Sequence, residues 1–299
     1  MNTLNQKEKS AIDALKAFEP KSEPYYLCYS GGKDSDVIRI LAQLAGVKHE
    51  CKHNLTTADA PETIKYVAET IGSENIERAH YDDGTPVTMW NLIPKKLMPP
   101  TRLVRYCCER LKEHGGTGRL KITGVRWAES TSRKNNNNIV VISRKTKTVK
   151  KIAEEYGADA VANAKGGLIL STDNTENRRL VEHCYRFVST RLNPIIDWSD
   201  SDVWEFLKHY GVDGNPLYQC GESRVGCLLC PMGGGRQQKR EAALYPKYKQ
   251  MYIHAFDRMI EERKRKNLSN EWANGEEVYT WWVGDDPNQI TINAYLNSQ

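Results

Sequence analysis

The stretch YYLCYSGGKDSDVIRILAQLAG, residues 25–46, joins a strand-like run, a turn and a helix-like segment. The apolar run before the turn predicts a buried strand, and the amphipathic segment from Asp34 to Leu44 predicts a helix. Glycines in the turn permit positive φ angles, while a helix N-terminus and a lysine supply positive charge for an anion. Since GxxxxGK followed by Ser or Thr is absent, this is not a Walker A loop. The candidate phosphate-binding residues are Ser30, Gly31, Gly32, Lys33, Asp34 and Ser35.

Outside this stretch, short strand-like runs alternate with helix-like segments, which is typical of βαβ units. Strands are expected within residues 25–30, 47–55, 76–81 and 119–125, and helices over 34–44, 61–71, 87–97 and 107–113. A further helix is expected to begin after Ser199 or Asp200 as its N-cap. The fold class is therefore α/β, with a doubly wound parallel sheet and a cysteine-rich C-terminal extension.

The domain organisation follows from these patterns. We expect an N-terminal helix over residues 1–20, a main domain over 21–235 and a helical, aromatic extension over 236–299. The main domain carries a basic insertion at about 134–190, with a hairpin expected over 138–152.

Composition favours a cytoplasmic protein without a membrane span. The chain has 299 residues, 39% of them hydrophobic, and its apolar runs are far shorter than the roughly 20 residues that a span needs. Its N-terminus lacks the apolar core of a secretory signal. The net charge is +5, and the segment 132–151 contains seven basic residues and no acidic one. That segment is either a solvated face or a surface for a polyanion such as a nucleic acid.

Eight cysteines in such a chain argue against a disulfide framework. Cys28 and Cys51 lie in expected strands, where a free cysteine packs as a small hydrophobic residue. The adjacent pair at 107–108 and the three cysteines between 220 and 230 instead suggest a metal site.

Several motifs together resemble the phosphoadenosine phosphosulfate (PAPS) reductase family of the PP-loop ATP-pyrophosphatase superfamily. SGGKDS at 30–35 resembles the pyrophosphate-binding loop of that superfamily, and GVRWAESTSR at 124–133 resembles the family motif GxRxxESxxR. NPIIDWSDSDVWEFL at 193–207 and NPLYQCGESRVGCLLCP at 215–231 resemble two later family segments, and Asp59 with PET at 61–63 an earlier one.

The resemblance implies a nucleotide site at the carboxyl ends of the strands, where the loop grips the outer phosphates of ATP. In such enzymes an acceptor oxygen attacks the α-phosphorus, pyrophosphate leaves, and a nucleophile that is often sulfur displaces AMP. It assigns charge neutralisation to Lys33 and to a Mg²⁺ ion held by Asp34 or Asp59. The remaining nucleotide contacts that it implies are Arg126, Glu129, Ser130 and Arg133.

The cysteines resemble the CC…CxxC ligands of a 4Fe–4S cluster in the adenylylsulfate-reducing branch of the family. This implies Cys107, Cys108, Cys227 and Cys230 as ligands. Cys220 is a rival fourth ligand, because adjacent side chains tend to diverge. Tetrahedral Zn²⁺ is the alternative metal, and a redox dithiol at 227–230 is a third interpretation.

The sequence departs from the reductases of the family in two respects. Their nucleophilic cysteine near the C-terminus has no counterpart after Cys230, and their loop is usually degenerate whereas this one is intact. We therefore expect an ATP-using enzyme that adenylylates a substrate and transfers sulfur, acting on tRNA or DNA with a sulfur-donor protein. The alternatives are a sulfonucleotide (APS or PAPS) reductase and a non-catalytic nucleotide-binding accessory protein.

Overall fold

The computed structural model describes the backbone of residues 3–129, 160–162, 168–170, 181–184 and 189–284, and the side chains of residues 4–129 and 191–284. Ser130, Arg133, the hairpin expected over 138–152 and the chain beyond residue 284 lie outside the described residues.

The described strands form one sheet in the order β3-β2-β1-β4-β8-β7-β6-β5. The strands are β1 (Tyr25–Cys28), β2 (His49–Asn54), β3 (Ile76–Glu77), β4 (Leu120–Ile122), β5 (Ala160–Ala162), β6 (Leu168–Leu170), β7 (Val181–Cys184) and β8 (Ser189–Leu192).

Five of these strands, from β3 to β8 in the sheet order, are parallel and confirm the expected α/β sheet. Tyr26 in β1 pairs with Glu50 on one side and with Lys121 on the other. The strand order therefore reverses at β1, which lies between β2 and β4. In open α/β sheets, the loops that follow the two strands at such a reversal diverge. They leave a crevice outside the carboxyl ends of these strands.

The edge beyond β8 is antiparallel, which the sequence did not predict. β8 pairs in parallel with β4 and antiparallel with β7, so the direction of the sheet changes at this strand. β5, β6 and β7 come from the insertion and continue the sheet as an antiparallel ribbon.

Helices alternate with the parallel strands along the first part of the chain and follow them in its last part, and their ends follow local sequence signals. The Ser199 hydroxyl accepts from the Asp202 N–H, while the Asp202 carboxylate accepts from the Ser199 N–H, so Ser199 is the N-cap. The α-helices are α1 (Thr3–Ala17), α2 (Lys33–Ala45), α3 (Pro61–Ile71), α4 (Met89–Lys96), α5 (Asp200–His209), α6 (Gly235–Leu244), α7 (Pro246–Arg265) and α8 (Gly275–Trp282).

Two expected elements differ in the structure. The strand expected over 76–81 ends at Glu77, because Ala79 and Tyr81 pair across a tight turn with Val87 and Thr85 instead of with the sheet. The helix expected over 107–113 is a π-helical turn, Cys108–Lys112, and such turns occur frequently at functional sites.

The chain divides into two compact units, and each combines separate stretches of sequence. The first unit contains Met1–Asn54, Pro61–Glu77 and His114–Val225. The second contains Leu55–Ala60, Arg78–Glu113 and Gly226–Gln299. The domain boundaries expected after residues 20 and 235 stay a prediction.

The core of the first unit lies between the parallel strands and the helices that flank them. Leu27 of β1, Ile38 of α2, Ile122 of β4 and Phe206 of α5 are fully buried in one hydrophobic cluster. Burial of large apolar side chains stabilises by about 1.5–3 kcal/mol each, so this cluster fixes the strand ends that carry the loops.

An aromatic cluster holds the second unit together. Trp282 of α8 packs against Tyr252 and Phe256 of α7, and its indole Nε1 donates to the Pro100 carbonyl at 2.6 Å. The aromatic residues near the end of the chain thus have a packing role. Among the described residues, no helix is long and apolar enough to cross a membrane.

Candidate functional site

The phosphate-loop candidate lies between β1 and α2 in the first unit and depends on Gly31. Gly31 has φ +75°, and a Cβ atom there would lie 2.7 Å from the Val67 side chain. The Asn215 side-chain amide donates to the Gly31 carbonyl at 2.9 Å and to the Thr63 hydroxyl at 3.2 Å. The buried Asn215 side chain, which comes from a distant segment, thus holds the turn in place. The positive φ of Gly31 is a conformation that glycine adopts without strain.

The first turn of α2 is also held by side-chain contacts. The Lys33 N–H donates to the Tyr218 hydroxyl at 3.0 Å, and burial raises the pKa of Tyr218 to about 12. The Ser35 hydroxyl donates to the Gly32 carbonyl at 2.6 Å and lies 3.4 Å from the Ser30 hydroxyl. The predicted loop residues therefore lie together at one helix N-terminus, which favours anions.

Arg126, on the loop after β4, reaches the same helix end. It is 1% exposed, and its Nε donates to Asp34 Oδ1 at 2.6 Å while Nη1 donates to the Trp198 carbonyl at 3.2 Å. Its own N–H donates to Glu129 at 3.3 Å. Because β1 and β4 are adjacent parallel strands, the loops after them line the same crevice, and Arg126 contacts Asp34 there.

Asp200, at the start of α5, joins this group and was missed from the sequence. Its Oδ1 atom lies 2.9 Å from Arg126 Nη2 and 3.3 Å from Lys33 Nζ. Burial would raise the pKa of Asp200, but the Arg126 hydrogen bond and the Lys33 charge outweigh it and lower that pKa. For Asp34, burial dominates and raises the pKa, although Arg126 and Lys33 oppose this effect. The only signal was the acidic run DWSDSD, which also fits a helix N-terminus.

Asp59, predicted with Lys33 and Asp34, belongs to the second unit. Its Oδ2 atom accepts from the Thr56 N–H at 2.7 Å, and its carbonyl accepts from the Tyr248 hydroxyl at 2.9 Å. Asp59 also forms an antiparallel β-bridge with Cys227. Its role as a magnesium ligand stays a prediction.

The adjacent cysteines lie at the start of the π-helical turn of the second unit. Their mutual interaction lowers the pKa of Cys108 and raises that of Cys107. The Arg105 guanidinium lies 3.7 Å from Cys108 Sγ and also favours its thiolate.

The Cys227–Cys230 turn is fixed at its backbone. Leu229 has a positive φ of 56°, which is costly for a branched side chain. Glu241 accepts from the Leu229 N–H at 2.5 Å, and Gln238 donates to its carbonyl at 3.1 Å. The same turn is held at Leu228, whose N–H donates to the Ala58 carbonyl at 2.7 Å.

The four thiols share one electrostatic neighbourhood. The hydrogen bond with Cys108 and burial raise the pKa of Cys107, and the charges of Cys227 and Cys230 add to the effect. Burial raises the pKa of Cys227 to about 11. The rival ligand Cys220 is exposed and belongs to the first unit.

The spacing of the four cysteine thiols bears on the kind of metal centre that they could hold. In the part of the chain that the structure describes, no three His, Cys, Asp or Glu side chains lie close enough to ligate a single ion. The thiolates that bind a four-iron cluster lie farther apart than those that bind one zinc ion, because each thiolate binds a different iron. Cys227 and Cys230 on the fixed turn, together with Cys107 and Cys108 at the π-helical turn, are four thiol donors of the type that such a cluster takes.

Comparisons with known proteins agree with these site motifs. A family model described as phosphoadenosine phosphosulfate reductase domain matches residues 24–232. An uncharacterized protein of Methanocaldococcus jannaschii is 26% identical over 276 residues, which cover 90% of this chain and 48% of that protein. The chain thus spans about half the length of that relative.

Two further matches are shorter or weaker. Adenosine 5'-phosphosulfate reductase of Allochromatium vinosum is 42% identical over 40 residues, 13% of this chain and 16% of that enzyme. The crystal structure of Candida glabrata FMN adenylyltransferase matches with a TM-score of 0.39 at 14% identity, over 76% of this chain and 63% of that one. A TM-score at this level carries no argument.

Proposed function

The chain belongs to the phosphoadenosine phosphosulfate reductase domain family, and on this premise we propose that it is an ATP-pyrophosphatase that adenylylates a substrate and transfers sulfur to it. One observation carries the proposal: two nearly buried cations, Lys33 at 7% and Arg126 at 1% exposure, lie beside an intact glycine turn at the reversal of strand order. Buried cations at such a crevice are suited to phosphate oxygens.

The reaction that we propose releases pyrophosphate. An acceptor oxygen attacks the α-phosphorus of ATP, the bond to the β-phosphate oxygen breaks, and pyrophosphate leaves with the bonding electrons. Lys33 and the amides of the glycine turn stabilise the charge on the leaving group. The Arg126 guanidinium, whose Nη2 pairs with Asp200, is suited to phosphate oxygens once that pair opens, and Mg²⁺ held by Asp34 would neutralise further charge.

The sulfur chemistry is assigned to the second unit. Cys107, Cys108, Cys227 and Cys230 would hold a 4Fe–4S cluster, which when bound supplies a site for sulfide or orders the substrate loop. The residues that support this assignment are those around the CxxC turn. Glu241 and Gln238 fix the Leu229 peptide, so the turn keeps its two thiols at a constant spacing.

The acceptor class that we propose is a nucleic acid, tRNA or DNA. Support comes from the seven basic residues between 132 and 151, a density of positive charge that suits a phosphate backbone. A separate sulfur-donor protein would supply the sulfur, which attacks the adenylylated acceptor: a bond to sulfur forms, the bond to the activated oxygen breaks, and AMP leaves with that oxygen.

The test is pyrophosphate release from ATP, measured with tRNA, DNA and small-molecule acceptors in turn. We expect release with one class of acceptor and none without acceptor. Stoichiometric ATP binding without release under any of these conditions would contradict catalysis and support an accessory role.

Sulfonucleotide reduction is the second candidate, because this chain resembles an adenosine 5'-phosphosulfate reductase over 40 residues. The protein would be mixed with adenylylsulfate or PAPS and a thiol reductant, and sulfite measured. Sulfite release that is lost in Cys220→Ser would favour a reductase, since Cys220 is an exposed thiol. The intact loop favours ATP, whose outer phosphates it suits.

A further inference from the structure

Asp200 has an unusual position for a carboxylate, because it lies where a phosphate-binding site should be open. A single oxygen, Oδ1, contacts both Arg126 Nη2 at 2.9 Å and Lys33 Nζ at 3.3 Å. The Asp200 side chain is 66% exposed, whereas the side chains of Arg126 and Lys33 are 2% and 9% exposed. The exposed Asp200 carboxylate thus covers the nearly buried cations of Lys33 and Arg126.

The charges of this group are balanced without a ligand. Two cations, Lys33 and Arg126, face two carboxylates, Asp34 and Asp200. A dianionic phosphate group added to Asp34 and Asp200 would place four negative charges around two cations, and these charges would repel each other. An entering phosphate group must therefore replace one of the two carboxylates. Asp34 is the less exposed of the two carboxylates and makes the 2.6 Å contact with Arg126, so Asp200 is the one that can leave.

The helix that carries Asp200 does not depend on its side chain. Ser199 and Asp202 form the capping box of α5, and Asp200 has no part in it. Its side chain can rotate into solvent while the helix start stays intact, and it remains favourable near the positive end of the helix dipole.

We propose that the Asp200 carboxylate occupies the anion position in the unliganded protein as a built-in competitor, which the phosphates of the incoming ligand must displace. The inference rests on the proposed function, since it concerns the same site. Displacement lowers the affinity of every anion by the same factor. Sulfate and inorganic phosphate, which make few contacts, are thereby kept out, while a nucleoside triphosphate with contacts to the whole loop still binds.

The test compares Asp200→Asn with Asp197→Asn. Asp197 is exposed and three residues away, so its variant removes the same charge from the same segment. Binding of inorganic pyrophosphate, sulfate and ATP is measured by calorimetry with EDTA present and again with Mg²⁺. We expect Asp200→Asn to bind pyrophosphate and sulfate about tenfold more tightly than the unsubstituted protein, while Asp197→Asn is unchanged.

Equal or weaker pyrophosphate binding by Asp200→Asn overturns the inference, because the carboxylate would then position Arg126 instead of competing. A loss of binding confined to Mg²⁺ conditions also overturns it and makes Asp200 a metal ligand. Asp200→Ser and thermal unfolding of each variant exclude a folding defect. If the unsubstituted protein binds no ATP, the proposed function fails, while the pyrophosphate comparison still decides the role of Asp200.

Discussion

The glycine turn of the first unit and the CxxC turn of the second are held in opposite ways. At the glycine turn, the carboxylates of Asp200 and Asp34 pair with the cations Lys33 and Arg126, and in our proposal an incoming anion displaces Asp200. At the CxxC turn, the side chains of Glu241 and Gln238 hydrogen-bond to the buried backbone N–H and carbonyl of Leu229. The first arrangement suits exchange of a ligand, and the second suits a permanently fixed geometry.

The largest expected effect concerns the fixed region. Protein purified without oxygen should carry about four irons per chain, and Cys227→Ser should lose nearly all of them, because a 4Fe–4S cluster needs four thiolates. Iron and acid-labile sulfide analysis measures both. Cys220→Ser is the matched control and should retain its iron; if it loses iron while Cys108→Ser does not, Cys220 is the fourth ligand. Colourless protein that contains zinc would contradict the cluster.

The exchange region is tested next with Lys33→Ala. ATP affinity should fall roughly 100-fold, because Lys33→Ala removes the cation that we propose to pair with the ATP phosphates. Truncating one member of a buried charge pair costs about 2–5 kcal/mol. Lys65→Ala, which removes an exposed lysine of α3 paired with Glu69, is the control and should bind ATP normally. Calorimetry measures the affinities, and an unchanged value for Lys33→Ala would show that the loop does not bind the phosphates.

A third comparison distinguishes the two glycines of the turn. Gly31→Ala should lower the free energy of unfolding by about 3 kcal/mol, since it combines left-handed strain with a contact 2.7 Å from Val67. Gly32→Ala should cost less, because the backbone at Gly32 has a φ of −102° and its nearest neighbour is the Tyr218 hydroxyl at 3.2 Å. Urea unfolding measures both, and equal effects would contradict the geometry of the turn.

The smallest effect is expected at Glu241. Glu241→Ala should lower the free energy of unfolding by about 2 kcal/mol, because it leaves the Leu229 N–H buried without its acceptor. Glu241→Gln keeps an oxygen acceptor and should cost less. If iron retention is unchanged in Glu241→Ala, the fixed backbone is not needed for the cluster, and the contrast between the two regions weakens.

Local sequence patterns predicted much of the parallel fold and part of the site. The glycine turn is one continuous stretch, so its strand, turn and helix were all visible in it. The family motif marked Arg126. The antiparallel ribbon of β5–β7 was not visible, because three- and four-residue strands leave no clear alternation.

The contacts that were missed connect segments far apart in the sequence. Asp200 is 74 residues from Arg126, and Asn215 is 184 residues from Gly31. Local sequence periodicity therefore could not predict either contact. Gln238 and Glu241 lie in a polar helical segment that is typical of a solvated face. Their burial depends on the packing of the Cys227–Cys230 turn, which only the three-dimensional structure reveals.

In our proposal, the glycine turn holds ATP for cleavage between the α- and β-phosphates. The most direct measurement follows the products of α-labelled ATP in the presence of the active acceptor. We expect labelled adenylylated acceptor or AMP, together with an equal amount of pyrophosphate, and neither product from Lys33→Ala. Labelled ADP with inorganic phosphate would contradict it.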